Sequence, residues 1–203
     1  MYWLKRLGTG ENMKSFRFFS ARLVGLFILL GLTLSAVQAQ AANTTLKWSS
    51  IVGLAQSGDL VGVGTGQVTG AVPWNTTKGS ASVNLTSGKV TFSVTGLILA
   101  VGSAPGDSLF GEGIGTSGGV TGVEGTLVCN VDGLTGGTGN SVTMDTASVP
   151  LSFEGNASFK GSFGSIDPSC TAAPQDTAFL IRITEPVGFL GLYIAFGGVL
   201  TVH

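Results

Sequence analysis

From residue 42 onward the chain alternates. In the run from 89 to 95, Val90, Phe92 and Val94 are separated by Thr91, Ser93 and Thr95, so one side is apolar and the other hydroxylated. A period of two puts successive side chains on opposite faces of an extended strand, and the apolar face must then be buried against another layer. The run from 60 to 68 repeats the pattern, with Val61 and Val63 facing away from glycines. Similar runs at 45–51, 81–85, 96–101, 125–131, 141–147, 151–153, 157–163 and 177–184 are divided by turn residues such as Thr86-Ser87-Gly88 and Asn156. No stretch sustains a 3.6-residue apolar stripe over three turns, and Gly, Thr, Ser and Val predominate over helix formers. The pattern predicts an all-β domain of roughly ten strands, a single β-sandwich, with a small up-and-down β-barrel as the alternative.

The first 41 residues read differently. Lys5, Arg6, Lys14, Arg17 and Arg22 precede an uncharged run, LVGLFILLGLTL, from Leu23 to Leu34. That run suits the core of a signal peptide and is shorter than the roughly 20 residues of a membrane-spanning helix. Small residues follow at Ala36, Ala39 and Ala41, so residues 1–41 are expected to be a cleavable signal helix and residues 42–203 the exported domain. Met13 offers a second start, because MKSFRFFSARL makes an ordinary basic n-region. The leader has no cysteine for a lipid anchor. The uncharged tail, 187–202, is interrupted by glycines at 188, 191, 197 and 198 and reads as one or two buried strands rather than a membrane segment.

Residues 42–203 carry five basic and ten acidic side chains. That balance argues against nucleic acid and against anionic membrane surfaces, and no membrane insertion of the mature domain is expected. Two cysteines, Cys129 and Cys170, are expected to pair in an oxidising compartment, metal binding by the two thiols being the weaker reading.

Motifs with catalytic overtones fail on chemistry. Gly113-Ile114-Gly115-Thr116-Ser117-Gly118 has the spacing of a dinucleotide turn, but no helix follows to meet a pyrophosphate. Ser117 sits in a GxSxG arrangement, yet a hydroxyl nucleophile needs a base. The one histidine, His203, stands at the end of the sequence, where side chains are usually mobile. No metal or cofactor site is expected: histidine is lacking elsewhere, and Asp107 with Glu112 is the nearest approach to an oxygen cluster for calcium. A carboxylate pair for hydrolysis stays open among Glu112, Glu124, Asp132, Asp145 and Glu154. Trp48, Trp74 and Tyr193 are the aromatics that could face a ligand as a stacking platform, although core or rim packing is the commoner use. Asn43, Asn75, Asn84 and Asn156 each open an N-x-S/T sequon. Two glycine-dense segments, 111–125 and 133–139, flank the strand of Cys129; the span 103–120 is predicted to be the longest loop.

The stretch Gly62-Val63-Gly64-Thr65-Gly66, then Ala71-Val72-Pro73-Trp74 and Thr95-Gly96-Leu97-Ile98-Leu99, resembles a group of uncharacterised secreted bacterial proteins with a GTG…PW opening and a two-cysteine pattern. Leu127-Val128-Cys129, Pro150-Leu151, Gly155-Asn156-Ala157, Cys170 and Leu180-Ile181-Arg182 carry the rest of the likeness. The resemblance implies export, an all-β fold and a Cys129–Cys170 disulfide, and it implies no activity. The expectation is therefore an exported, non-enzymatic binding or surface/matrix protein, secreted, periplasmic or held at the cell surface. Its partner is unspecified and self-association is left open. An outer-membrane β-barrel and a carboxylate-dependent hydrolase are the rivals.

Overall fold

Extended segments with one apolar face need partners, and here they find them across two sheets. The computed structural model describes residues 43–100, 113–137 and 139–203; the expected signal helix, Asp107 and Glu112 lie outside them. In chain order the strands are β1 (Thr45–Trp48), β2 (Ile51–Gly53), β3 (Leu60–Val61), β4 (Val68–Thr69), β5 (Trp74–Asn75), β6 (Lys78–Asn84), β7 (Lys89–Thr95) and β8 (Ile98–Leu99). Then come β9 (Gly122–Cys129), β10 (Val142–Asp145), β11 (Val149–Pro150) and β12 (Ala157–Ser162). A short helix, α1 (Pro168–Ala172), precedes β13 (Thr177–Glu185), β14 (Tyr193–Gly197) and β15 (Leu200–Val202).

One sheet runs β12-β7-β6-β1-β15 and the other β10-β9-β13-β14-β2, with β11 also paired to β9. Two small ribbons, β3-β4 and β5-β8, complete the pairing. Neighbours in these sheets are mostly distant in sequence and the chain passes repeatedly between layers, so the fold is a sandwich and not an up-and-down barrel. One corner is shared by two bent segments. β1 continues into β2 and β14 into β15, each pair changing sheets at the same place, where Ser49 N donates to Val199 O at 3.1 Å and Gly198 N to Ser50 O at 2.9 Å. The apolar tail thus forms two strands in different sheets. Its residues are buried in β14 for Tyr193, Ile194 and Ala195, but Thr201 and Val202 of β15 are exposed.

Between the sheets the inward side chains make one core. Trp48 packs on Phe179 with ring centroids 5.4 Å apart, and Phe92 reaches both Phe179 and Phe159 at 5.9 Å. Each such ring removed from water is worth roughly 2–3 kcal/mol. A second, smaller cluster of Leu54, Val68, Val128, Leu180 and Tyr193 lies on the other side of the six-stranded sheet, under the segment that carries β3 and β4. The described residues form one compact unit.

The glycine-dense stretch 111–125 is not all loop. Its last residues begin β9, and Gly125 is buried there, where a side chain would strike the rings of Phe92 and Phe179. The second glycine segment is tied down from its front edge. Asn130, at φ 56°, accepts from Thr135 N through Oδ1 at 2.6 Å and donates from Nδ2 to Asn140 O at 2.8 Å. Asparagine is among the few non-glycine residues that adopt this left-handed conformation readily. Residues 151–153, expected as a strand, follow β11 outside any strand and lead into a turn at 153–154.

Cys129, the last residue of β9, is bonded to Cys170 in α1, with an S–S distance of 2.01 Å. The helix starts where Asp167 caps it: Oδ1 accepts from Ser169 N at 2.9 Å, with Pro168 in the first turn. The bridge spans 41 residues, and closing such a loop stabilises by about 4 kcal/mol on the chain-entropy view. Disulfides form and persist in oxidising compartments, which places this chain outside the reducing cytosol.

Candidate functional site

The three aromatics singled out in the sequence do not share a surface. Trp48, Trp74 and Tyr193 are each 2% exposed. Trp48 and Trp74 sit in the main core and Tyr193 in the smaller cluster, so all three act as packing and no stacking platform forms from them. Burial, and then the Asp59 carboxylate, push the Tyr193 hydroxyl up to about 12.

Ser117 is buried in the turn after residue 113, with its amide donating to Phe153 O at 3.0 Å. His203 is not loose: its backbone pairs with Thr45 in both directions, at 2.9 and 3.0 Å. Two of the four sequon asparagines use their side chains to hold turns, Asn84 toward Thr86 and Ser87 and Asn156 toward Gly96. Among the described residues no group of three or more His, Cys, Asp or Glu is placed to hold a metal ion.

Of the five carboxylates weighed for hydrolysis, the fold brings Glu124 and Asp145 together, on neighbouring strands β9 and β10. Arg182 of β13 joins them: Nη1 lies 2.9 Å from Asp145 Oδ1 and 3.7 Å from Glu124 Oε1. The β13–β14 register shifts between Ile181 and Arg182, and Arg182 Nε donates to Gly191 O at 2.9 Å. Arg182 stands directly opposite Glu124 in the β9–β13 register, and the bond to Gly191 fixes its guanidinium. Thr126 Oγ1 adds a 2.6 Å bond to Asp145 Oδ1. Burial, then the neighbouring Asp145, hold the Glu124 carboxyl above its ordinary range, with Arg182 pulling the other way. Asp132 meets Asp176 instead, through a 3.3 Å bond from its amide to Asp176 Oδ1, and Glu154 is exposed.

The outward face of the five-stranded sheet is the other concentration of polar chemistry. Strand register lines up Thr201, Lys47, Ser82, Thr91 and Lys160 in a row across all five strands. A second row joins Ser80, Ser93 and Ser158. The residues between them along each strand, such as Leu46, Trp48, Ala81, Val83, Val90, Phe92 and Val94, point into the core, so the strict alternation of β6 and β7 is what turns the hydroxyls to solvent. A shallow depression of about 460 Å³ lies on this face, lined by Lys47, Ser80, Ser82, Thr91, Thr201 and His203, among others. A shallow surface bearing hydroxyls and amines offers many weak hydrogen bonds.

Compared with protein-family models, curated proteins and solved structures, the chain matches none.

Proposed function

We propose that this chain is an exported, non-enzymatic binding protein of the cell surface or extracellular matrix, and that the outward face of its five-stranded sheet is the working surface. One observation carries the reading: two cross-strand rows of hydroxyl-bearing residues coincide with a depression on that face. Serine and threonine hydroxyls both donate and accept, which suits an extended, hydroxyl-bearing polymer such as a polysaccharide better than a compact metabolite. Support for export comes from the Cys129–Cys170 bridge together with the leader-like segment 1–41.

The test is retention of the purified domain on a panel of immobilised polysaccharides, neutral and acidic. Ser82→Gln with Ser93→Gln fills the centre of the face with longer side chains and is expected to weaken retention about tenfold, the loss of roughly one to two good hydrogen bonds. Val187→Gln, at an exposed position away from the face, is expected to leave retention unchanged. Retention on none of the polymers, or equal losses in both variants, would overturn the reading.

A further inference from the structure

The domain is acidic as a whole, yet its positive charge is gathered on one side. Residues 43–203 contain four lysines, and every one of them lies on a strand of the five-stranded sheet: Lys47 in β1, Lys78 in β6, Lys89 in β7 and Lys160 in β12. All four are exposed, and each shares the outward phase of the hydroxyl-bearing residues on its strand. The fifth basic residue, Arg182, belongs to the other sheet and is committed to Asp145 and Glu124. None of the strands β1, β6, β7, β12 or β15 contains an aspartate or glutamate. The described acidic residues are distributed over β9, β10, β13 and the connecting segments.

Resting on the reading of this face as the working surface, we infer that its ligand is an anionic polysaccharide. Lys47 and Lys160 stand at either side of Ser82 and Thr91 in one row, three strand spacings apart, or roughly 14 Å at about 4.8 Å per strand. Lys78 and Lys89 mark opposite ends of the β6–β7 pair, about six residues or roughly 20 Å apart. The amines therefore border a hydroxyl field instead of forming a dense basic stripe. Cations that border hydroxyls complement a polymer that carries both a carboxylate and free hydroxyls on its sugars, as a polyuronate does.

Two other polyanions fit less well. Duplex DNA presents a phosphate charge about every 1.7 Å and selects for crowded Lys and Arg on a basic domain, whereas this domain carries ten acidic residues against five basic ones. A lipid surface calls for apolar side chains that enter the headgroup region beside the lysines, and the outward positions here are serine and threonine.

The experiment compares polygalacturonate, neutral dextran and duplex DNA as ligands for the purified domain, with the variant Lys47→Gln, Lys78→Gln, Lys89→Gln, Lys160→Gln beside the wild type. All four positions are exposed, and circular dichroism with a thermal melt verifies that the variant folds. Polygalacturonate is expected to bind best, with affinity falling about tenfold between roughly 50 mM and roughly 500 mM salt as the amines are screened. The quadruple variant is expected to lose at least tenfold on polygalacturonate, with no change on dextran. Binding of dextran at equal strength and without salt dependence would overturn the anionic ligand while leaving the working face standing. Equal or tighter binding of DNA would overturn the polysaccharide. Salt-sensitive self-association of the wild type, abolished in the variant and without polysaccharide binding, would assign the face to a second copy of the chain instead.

Discussion

Gly125 stands beneath the ring of Phe92: a Cβ there would fall 2.8 Å from Phe92 Cδ1, on the opposing sheet, and 2.7 Å from Phe179 Cζ. The two layers approach at this point because β9 offers backbone where the other sheet offers an aromatic ring. Gly125→Ala is therefore expected to destabilise the fold by about 1–3 kcal/mol through overpacking. A lower denaturant midpoint at unchanged slope checks this. Adding Phe92→Leu to Gly125→Ala should cost less than the two single changes combined, by about 1 kcal/mol, since both act on one space.

The covalent tie between β9 and α1 makes a second expectation. Cys129→Ser, Cys170→Ser or the double variant should lose about 2–5 kcal/mol. Thermal melts with and without reductant measure it. The unreduced protein, unfolded in denaturant, should take up no thiol-alkylating label.

Asn130 holds the glycine-dense segment from its front edge. Asn130→Ala removes the acceptor for Thr135 N and the donor to Asn140 O, and leaves a left-handed backbone position without the residue that tolerates it. A loss of about 1–3 kcal/mol is expected. Limited proteolysis should show a new cleavage between residues 131 and 140 before global unfolding.

Glu124 sets a pH dependence whose sign follows from its surroundings. Its carboxyl is held above the ordinary value of 4.5 by burial and by Asp145, so folding favours the protonated form. The stabilisation from this group is complete below 4.5 and is lost as pH rises through the raised folded value. Glu124→Gln, which keeps the neutral shape, should flatten the rise in melting temperature on acidification just above 4.5. Asp145→Asn, by removing the like charge, should bring the Glu124 carboxyl closer to its ordinary range. Carboxyl titration by NMR reads this directly.

Much of the fold was legible as alternation. Val90, Phe92 and Val94 are all buried on β7 while Lys89, Thr91 and Ser93 are exposed, as the period of two requires. The bend between β1 and β2 also leaves a trace. Leu46 and Trp48 keep one phase, but the next buried residue is Ile51 rather than residue 50, so the pattern slips where the chain changes sheets. The helix α1 went unread: Asp167 caps it and Pro168 opens it, but five residues are too few to show a period.

The site was far less visible, for a physical reason. Lys47, Lys78, Lys89 and Lys160 are spread over more than a hundred positions, and only the register of β1, β6, β7 and β12 sets them on one face. The acidic total concealed them. Net charge sums over the surface, whereas a ligand meets one side of it. Glu124 and Asp145 were named among five carboxylates, but nothing in their spacing pointed to Arg182, which stands directly opposite Glu124 in the β9–β13 pairing. The rings of Trp48 and Trp74 became core because their positions fall on inward phases, where burying a large aromatic stabilises more than exposing it.

The measurement that bears most directly on the central claim is an amide chemical-shift map of the labelled domain titrated with short polygalacturonate oligomers. Shifts should cluster on β1, β6, β7, β12 and β15, strongest around Lys47, Ser82, Thr91 and Ser93, and should fade at high salt. Shifts centred on Glu124, Asp145 and Arg182, or no shifts at saturating oligomer, would contradict it.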